Sequence, residues 1–145
     1  AKNSGDIDVL CTTKNNNIEL FNKIIEELES EKYVKETLAK GEKKFMGISK
    51  LHRHRTNRRL DMIYTKKENY PFALLYFTGS GQFNVEMRNH AISLGYSLSE
   101  YGLKKGGKFV DNNGKLFETE EDIFKFLGLK YVTPEDRKSG VFQNL

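Results

Sequence analysis

With 145 residues carrying 24 Lys and Arg against 20 Asp and Glu, the chain has a formal charge of +4 and an isoelectric point near 9.0; its length suits one ordinary domain or two small subdomains. Apolar residues make up 37%, and the 12 glycines lift that to the range of globular domains, which excludes disorder and collagen-like repeats. No apolar run approaches the roughly 20 residues that cross a bilayer, no secretory segment opens the chain, and the single Cys11 cannot form an internal disulfide, so an intracellular, soluble protein is expected.

The chain lacks an initiator Met, and Ser4-Gly5 leads directly into Asp6-Ile7-Asp8-Val9-Leu10-Cys11, an alternating, β-branched segment that predicts a strand. A strand this close to the first residue implies that sequence upstream has been removed. After it, Ile18, Phe21, Ile24/Ile25 and Leu28 recur at helical spacing behind the polar Asn15-Asn16-Asn17. Segments 32–38, 43–50 and 58–65 are expected strands. The last places Leu60, Met62 and Tyr64 on one face and Arg59, Asp61 and Ile63 on the other.

The polar stretch 66–69 is the expected boundary. Beyond it, residues 70–78 form an apolar helix with Pro71 in its first turn and Gly79 as its stop. A second helix is expected over 82–95, with Phe83, Met87, Ala91 and Leu94 at helical spacing and Gly95 ending it. Segments 96–103 and 108–117 predict short strands, with Asn112-Asn113-Gly114 supplying a turn. Thr119 followed by Glu120, Glu121 and Asp122 marks the start of a last helix that stops at Gly128.

Charge is concentrated in one place. From Lys43 to Leu60 there are seven basic residues (Lys43, Lys44, Lys50, Arg53, Arg55, Arg58, Arg59) and no acid, whereas residues 1–42 are net −3 and residues 61–145 net 0. A polyanion such as nucleic acid fits this stretch; a solvated basic hairpin or a nuclear-import address is the alternative. His52 and His54 belong to the same hairpin, without the further ligands that a metal site needs, and His90 has no evident partner.

Asp6 and Asp8 project from one face of their strand, and two carboxylates so placed repel unless a cation lies between them. Asp61 is a third acid, on the corresponding face of another strand. Three oxygen ligands suit one or two hard divalent ions that complete their shell with phosphate oxygens. Gly5 allows close backbone approach, and Arg58 and Arg59 supply cations for spare phosphate charge. The bland reading is a set of exposed acids, with Tyr76 and Phe77 as core and Asn84 and Arg88 as a surface pair.

The residues also resemble a known family. Ser4-Gly5-Asp6-Ile7-Asp8-Val9-Leu10 is similar to the palm strand of family X DNA polymerases. Lys40 through Gly47 resembles the following palm strand, and Arg58-Arg59-Leu60-Asp61 the strand bearing the third aspartate. Tyr76-Phe77-Thr78-Gly79-Ser80 with Phe83-Asn84 and Met87-Arg88 is similar to the nucleotide-binding segment, and Tyr131 through Arg137 to the C-terminal end. The likeness runs in consistent order over nearly the whole chain.

This resemblance implies an α+β fold: a nucleotidyltransferase palm over residues 1–67, with a mixed or antiparallel sheet and flanking helices, and a small α+β, thumb-like subdomain over 68–145 that binds the nascent base pair. It implies a DNA-directed polymerase that fills short gaps with dNTPs by two-metal transfer to a primer 3′-hydroxyl, using Mg²⁺, for which Mn²⁺ can substitute. Asp6, Asp8 and Asp61 would be the catalytic metal ligands. Gly5, Tyr76, Phe77, Thr78, Gly79 and Asn84 would meet the nucleotide, with Phe77 and Gly79 against its sugar. Lys44, Arg59, Arg88 and Tyr101 would contact or support the DNA; minor-groove contacts of this kind check pair shape rather than sequence. The partners implied are primer-template or gapped DNA and dNTP, with no membrane, a monomeric state and a nuclear location.

There are departures. The family's triphosphate-gripping segment, its helix-hairpin-helix segments and its lyase region have no counterpart here. Ile63 stands where the beta branch carries an arginine, as in the lambda branch, and Gly81 stands where some relatives stack a side chain on the incoming base. A template-independent nucleotidyltransferase of the same superfamily and a non-catalytic DNA-binding module are the rival readings.

Overall fold

The computed structural model describes residues 7–49, 58–138 and 140–145. The chain divides into two compact units, Ala1–Lys67 and Glu68–Leu145.

The first unit is a mixed four-stranded sheet with one helix. Strand β1 (Ile7–Cys11) leads to helix α1 (Ile18–Ser30), then β2 (Val34–Lys40), β3 (Lys44–Ser49) and β4 (Arg58–Tyr64), in the spatial order β1-β4-β3-β2. β1 runs parallel to β4, while β4, β3 and β2 are antiparallel neighbours. That topology follows from the connections, since a helical crossover can return the chain parallel whereas short links reverse it.

Helix α1 starts where Asn17 Oδ1 accepts the Glu19 N–H at 3.0 Å, which satisfies one of the donors that a helix start leaves open. Phe21 and Ile25 then face the sheet and pack with Val34, Phe45, Met62 and Tyr64. Burying each of these large side chains is worth about 1.5–3 kcal/mol. Of the two isoleucines that periodicity left open, Ile25 is buried and Ile24 exposed. On β4, Met62 and Tyr64 are buried toward α1, so the alternation of the strand turns Arg59, Asp61 and Ile63 to the other face.

The second unit holds α2 (Tyr70–Thr78), α3 (Gly81–Ser93), the meander β5 (Ser97–Ser99), β6 (Gly102–Lys105) and β7 (Lys108–Phe109), and α4 (Glu120–Phe126). Its core joins Phe72 and Leu75 of α2, Phe83, Met87 and Ala91 of α3, Leu103, Phe117, and Ile123 and Phe124 of α4. Phe142 stacks on Phe83 at 4.7 Å between ring centroids, so the last residues of the chain close over this core. Helix α4 opens with a reciprocal cap: Thr119 Oγ1 accepts from Asp122 N–H at 3.2 Å while Asp122 Oδ2 accepts from Thr119 N–H. His90, which sequence left without a partner, joins its ring Nε2 to the Leu127 carbonyl at 2.7 Å and ties α3 to the end of α4.

Two sequence expectations change here. Segments 96–103 and 108–117 hold three short strands: the first is broken into β5 and β6 at Glu100-Tyr101, ahead of Gly102 at positive φ, the Gly106-Gly107 turn falls in the gap expected between the segments, and β7 is only the start of the second. The Asn112–Gly114 segment is a turn closed by an Asn112–Lys115 bridge outside those strands. Leu94 is also exposed, since α3 has already ended at Ser93. Among the described residues, no helix is long and apolar enough to cross a membrane.

Candidate functional site

In the first unit the open face of the sheet collects the candidate residues. Parallel pairing places Asp8 opposite Asp61, so carboxylates from β1 and β4 stand side by side on one face. The antiparallel pairing of β3 with β4 sets Met46 opposite Asp61, Ile48 opposite Arg59 and Lys44 opposite Ile63, all on that same face. Lys44 is exposed at the start of β3.

Asp61 is held in place. Arg59 Nε donates to its Oδ1 at 3.0 Å, and Arg59 Nη2 lies 3.6 Å from Met46 Sδ. The guanidinium is thus braced across two strands, and among the described residues it is Oδ1 that it holds. Asp6, Gly5, Lys50, Arg53, Arg55, His52 and His54 lie outside the described residues, and among the described residues no three potential metal ligands come together. The donor set seen, two carboxylates on adjoining strands with a cation steadying one of them, has the hard oxygen chemistry that suits Mg²⁺.

The second unit holds the other candidates where α2 meets α3. Gly79 caps α2 at φ 68 and ψ −157, a conformation open essentially to glycine alone, and the Gly79–Ser80 peptide is cis. Ser80 then caps α3, its Oγ accepting from Phe83 N–H at 3.3 Å. The two helices are tied together by Asn84, whose Nδ2 donates to the Tyr76 carbonyl at 2.7 Å. That carbonyl belongs to the last turn of α2, where helix acceptors lack partners of their own. Arg88 Nε reaches the Asn84 carbonyl at 3.4 Å. Thr78 caps its own turn through Leu74 O at 2.6 Å.

Tyr76 and Phe77 meet edge to face at 5.1 Å and stay about two-fifths exposed, so both rings are presented at the surface. Tyr76, Asn84 and Arg88 line one cleft with Phe72, Leu75, Met87, Leu98 and Ser99. Tyr101 does not join them: it is exposed, its N–H bonds to Ser99 Oγ at 3.2 Å, and it borders a separate cleft with Phe109 and Leu116. Leu98 and Ser99 were not singled out by sequence, because nothing local marks a short strand as part of a cleft wall.

Sequence also missed Arg137. Its side chain is fully buried, donates to Glu120 Oε2 at 2.7 Å and to the Val132 carbonyl at 3.0 Å, and lies among the rings of Phe83, Phe124 and Tyr131. This is scaffold chemistry that anchors the C-terminal segment against α4.

Known proteins align along these same units. Residues 1–67 match the DNA polymerase beta palm and residues 73–138 the DNA polymerase beta thumb. DNA polymerase lambda of Rattus norvegicus is 34% identical over 92% of this chain and 26% of that protein. DNA nucleotidylexotransferase of Xenopus laevis is 43% identical over 56% of the chain and 16% of its own length. DNA-directed DNA/RNA polymerase mu of Homo sapiens is 38% identical over 56% of the chain and 16% of its length. The chain therefore spans about a quarter or less of the curated relatives it matches. With palm and thumb both matched in chain order, the chain belongs to family X of the DNA polymerases.

Proposed function

We propose that this chain is the palm and nascent-base-pair-binding part of a DNA-directed DNA polymerase, which adds dNTPs to a primer 3′-hydroxyl at short gaps in DNA. The observation that carries the reading is the pairing of Asp8 with Asp61 on one open sheet face, with Arg59 fixing the second carboxylate.

Asp8 and Asp61, with Asp6, would hold two Mg²⁺ ions. When bound, such ions neutralise triphosphate charge and make the primer hydroxyl a better nucleophile at neutral pH. Arg59 orients Asp61 and leaves guanidinium N–H groups for a primer phosphate. Lys44, exposed on the same face, offers a point charge to the DNA backbone.

In the first unit, Gly5 would give phosphate oxygens close access to the backbone. In the second unit, Tyr76, Phe77, Thr78 and Gly79 would meet the incoming nucleotide. Gly79, without a side chain, would let the backbone around Phe77 and Gly79 lie against the sugar, which would disfavour a ribose 2′-hydroxyl. Asn84 and Arg88 line a cleft with Tyr76 and would sense the minor-groove edge, and Tyr101 would support the template side. Domain 1–67 would then supply the chemistry and 68–145 the check on pair shape, in a monomer working in the nucleus.

The test is incorporation of one dNTP on gapped DNA and on a single strand, with Mn²⁺ binding followed in parallel for the wild type, Asp8→Asn and Asp61→Asn. Templated, gap-dependent addition and loss of metal binding in both variants are expected. Equal, unselective addition to the single strand would favour template-independent transfer, and metal binding unchanged in both variants would refute the ligand assignment.

A further inference from the structure

Residues 61–145 are electrically neutral as a whole, yet the segment 103–115 contains Lys104, Lys105, Lys108 and Lys115 against Asp111 alone. The fold gathers the first three on the β6–β7 hairpin, where all are exposed. Lys105 and Lys108 are direct cross-strand partners on either side of Gly106-Gly107. Both glycines have positive φ, 60 and 79, as a tight two-residue hairpin turn demands.

Like charges directly opposite each other weaken a hairpin, so this pair opposes the structure that carries it. Asp111 does not relieve it, since its Oδ1 accepts from Gly114 N–H at 3.0 Å. Among the described residues, the ion pairs formed involve other cations. Two of the lysines are steadied by rings instead: Lys104 Nζ lies 4.6 Å from the Phe109 centroid and Lys105 Nζ 5.4 Å from that of Tyr96. Such contacts orient an ammonium group without neutralising it.

We propose that the β6–β7 hairpin is a second nucleic-acid contact, in which Lys105 and Lys108 together grip the phosphate backbone across the bare Gly106-Gly107 turn. The inference rests on the reading that the chain acts on DNA. A phosphodiester anion between the two ammonium groups converts their repulsion into attraction. Cross-strand partners sit about 5.5 Å apart at Cα, and a DNA strand carries one charge for about every 3.4 Å of rise, so two lysines can reach one phosphate or two neighbours. The space around a side chain position at either glycine is open, which lets the backbone approach the turn. Lysine is a point charge with no base-reading geometry, so the contact positions DNA without selecting sequence.

The experiment measures affinity of the 145-residue chain for a gapped duplex as salt is raised from 50 to 200 mM, for the wild type and for Lys105→Gln/Lys108→Gln. Losing two phosphate contacts should make the fall in affinity over that range about 10-fold smaller. A second double variant, Lys35→Gln/Lys130→Gln, removes two exposed lysines elsewhere and should leave the salt dependence near that of the wild type. A normal wild-type salt slope that is unchanged in the hairpin variant, or changed equally in both double variants, overturns the hairpin proposal alone. A wild-type chain that does not bind the duplex overturns both the proposal and the DNA reading beneath it.

Discussion

Arg59 Nε donates to Asp61 Oδ1 at 3.0 Å from two positions back on the same strand, so a cation on the open sheet face fixes the carboxylate that stands opposite Asp8. Both side chains are partly exposed, at 42% and 21%, so the pair adds no more than about 1 kcal/mol to stability. Its value lies in orientation. Arg59→Ala should shift the melting temperature little while lowering the rate of primer extension about 10–100-fold, as loss of a partner behind a metal ligand does. Extension at the wild-type rate would remove Arg59 from the site.

Asn84 bridges α3 to the Tyr76 carbonyl at 2.7 Å, and its loss frees both Tyr76 and the cleft wall. Asn84→Ala should cost about 1 kcal/mol in stability but show mainly as a raised KM for dNTP. A thermal melt beside a KM and kcat measurement separates the two effects. A fall in kcat with unchanged KM would contradict a positioning role at the nucleotide.

Glu120 and Arg137 form a buried pair at 2.7 Å. Glu120→Ala leaves the guanidinium unpaired and should destabilise by about 3–5 kcal/mol in urea unfolding. Arg137→Met should cost less, because the methionine fills space among Phe83, Phe124 and Tyr131 and the Glu120 carboxylate it leaves behind keeps some solvent contact and sits in the first turn of α4, where a negative charge is favoured. An order of severity reversed from this would mean that the hydrogen bond from Arg137 to Val132 O outweighs the ion pair.

Glu29 has its carboxyl held below the usual range by the Thr37 hydroxyl, which donates at 2.7 Å, and then by Lys40 at 3.1 Å. A carboxylate so depressed stabilises the fold above its ordinary pKa of about 4.3, and that contribution fades as pH falls through the folded value. Glu29→Gln should therefore lower the melting temperature slightly at pH 7 and bring the two proteins together in acid. The effect is small because the group is partly exposed to solvent. A difference that grows on acidification would reverse the sign and overturn the assignment.

Much of the fold is legible in local pattern. The alternation in 58–64 already separates Met62 and Tyr64 from Arg59 and Asp61, the Thr119–Asp122 spacing already specifies a capped helix, and Pro71 and Gly79 already bracket α2. These are properties of neighbouring residues, and period and capping chemistry need nothing beyond them. The charge run from Lys43 to Arg59 and the likeness to family X are equally readable without coordinates.

What required tertiary structure were the relations between residues far apart in the chain. Strand periodicity could place Asp8 and Asp61 on matching faces, but only the parallel pairing of β1 with β4 makes them partners. Arg137 is only the last residue of a segment similar to the family's C-terminal end until the aromatic rings and Glu120 close around it. The lysines opposed at 105 and 108 vanish into a neutral count until a glycine turn folds them together. Register and burial are decided by the contacts of the whole unit, and a sequence window records neither.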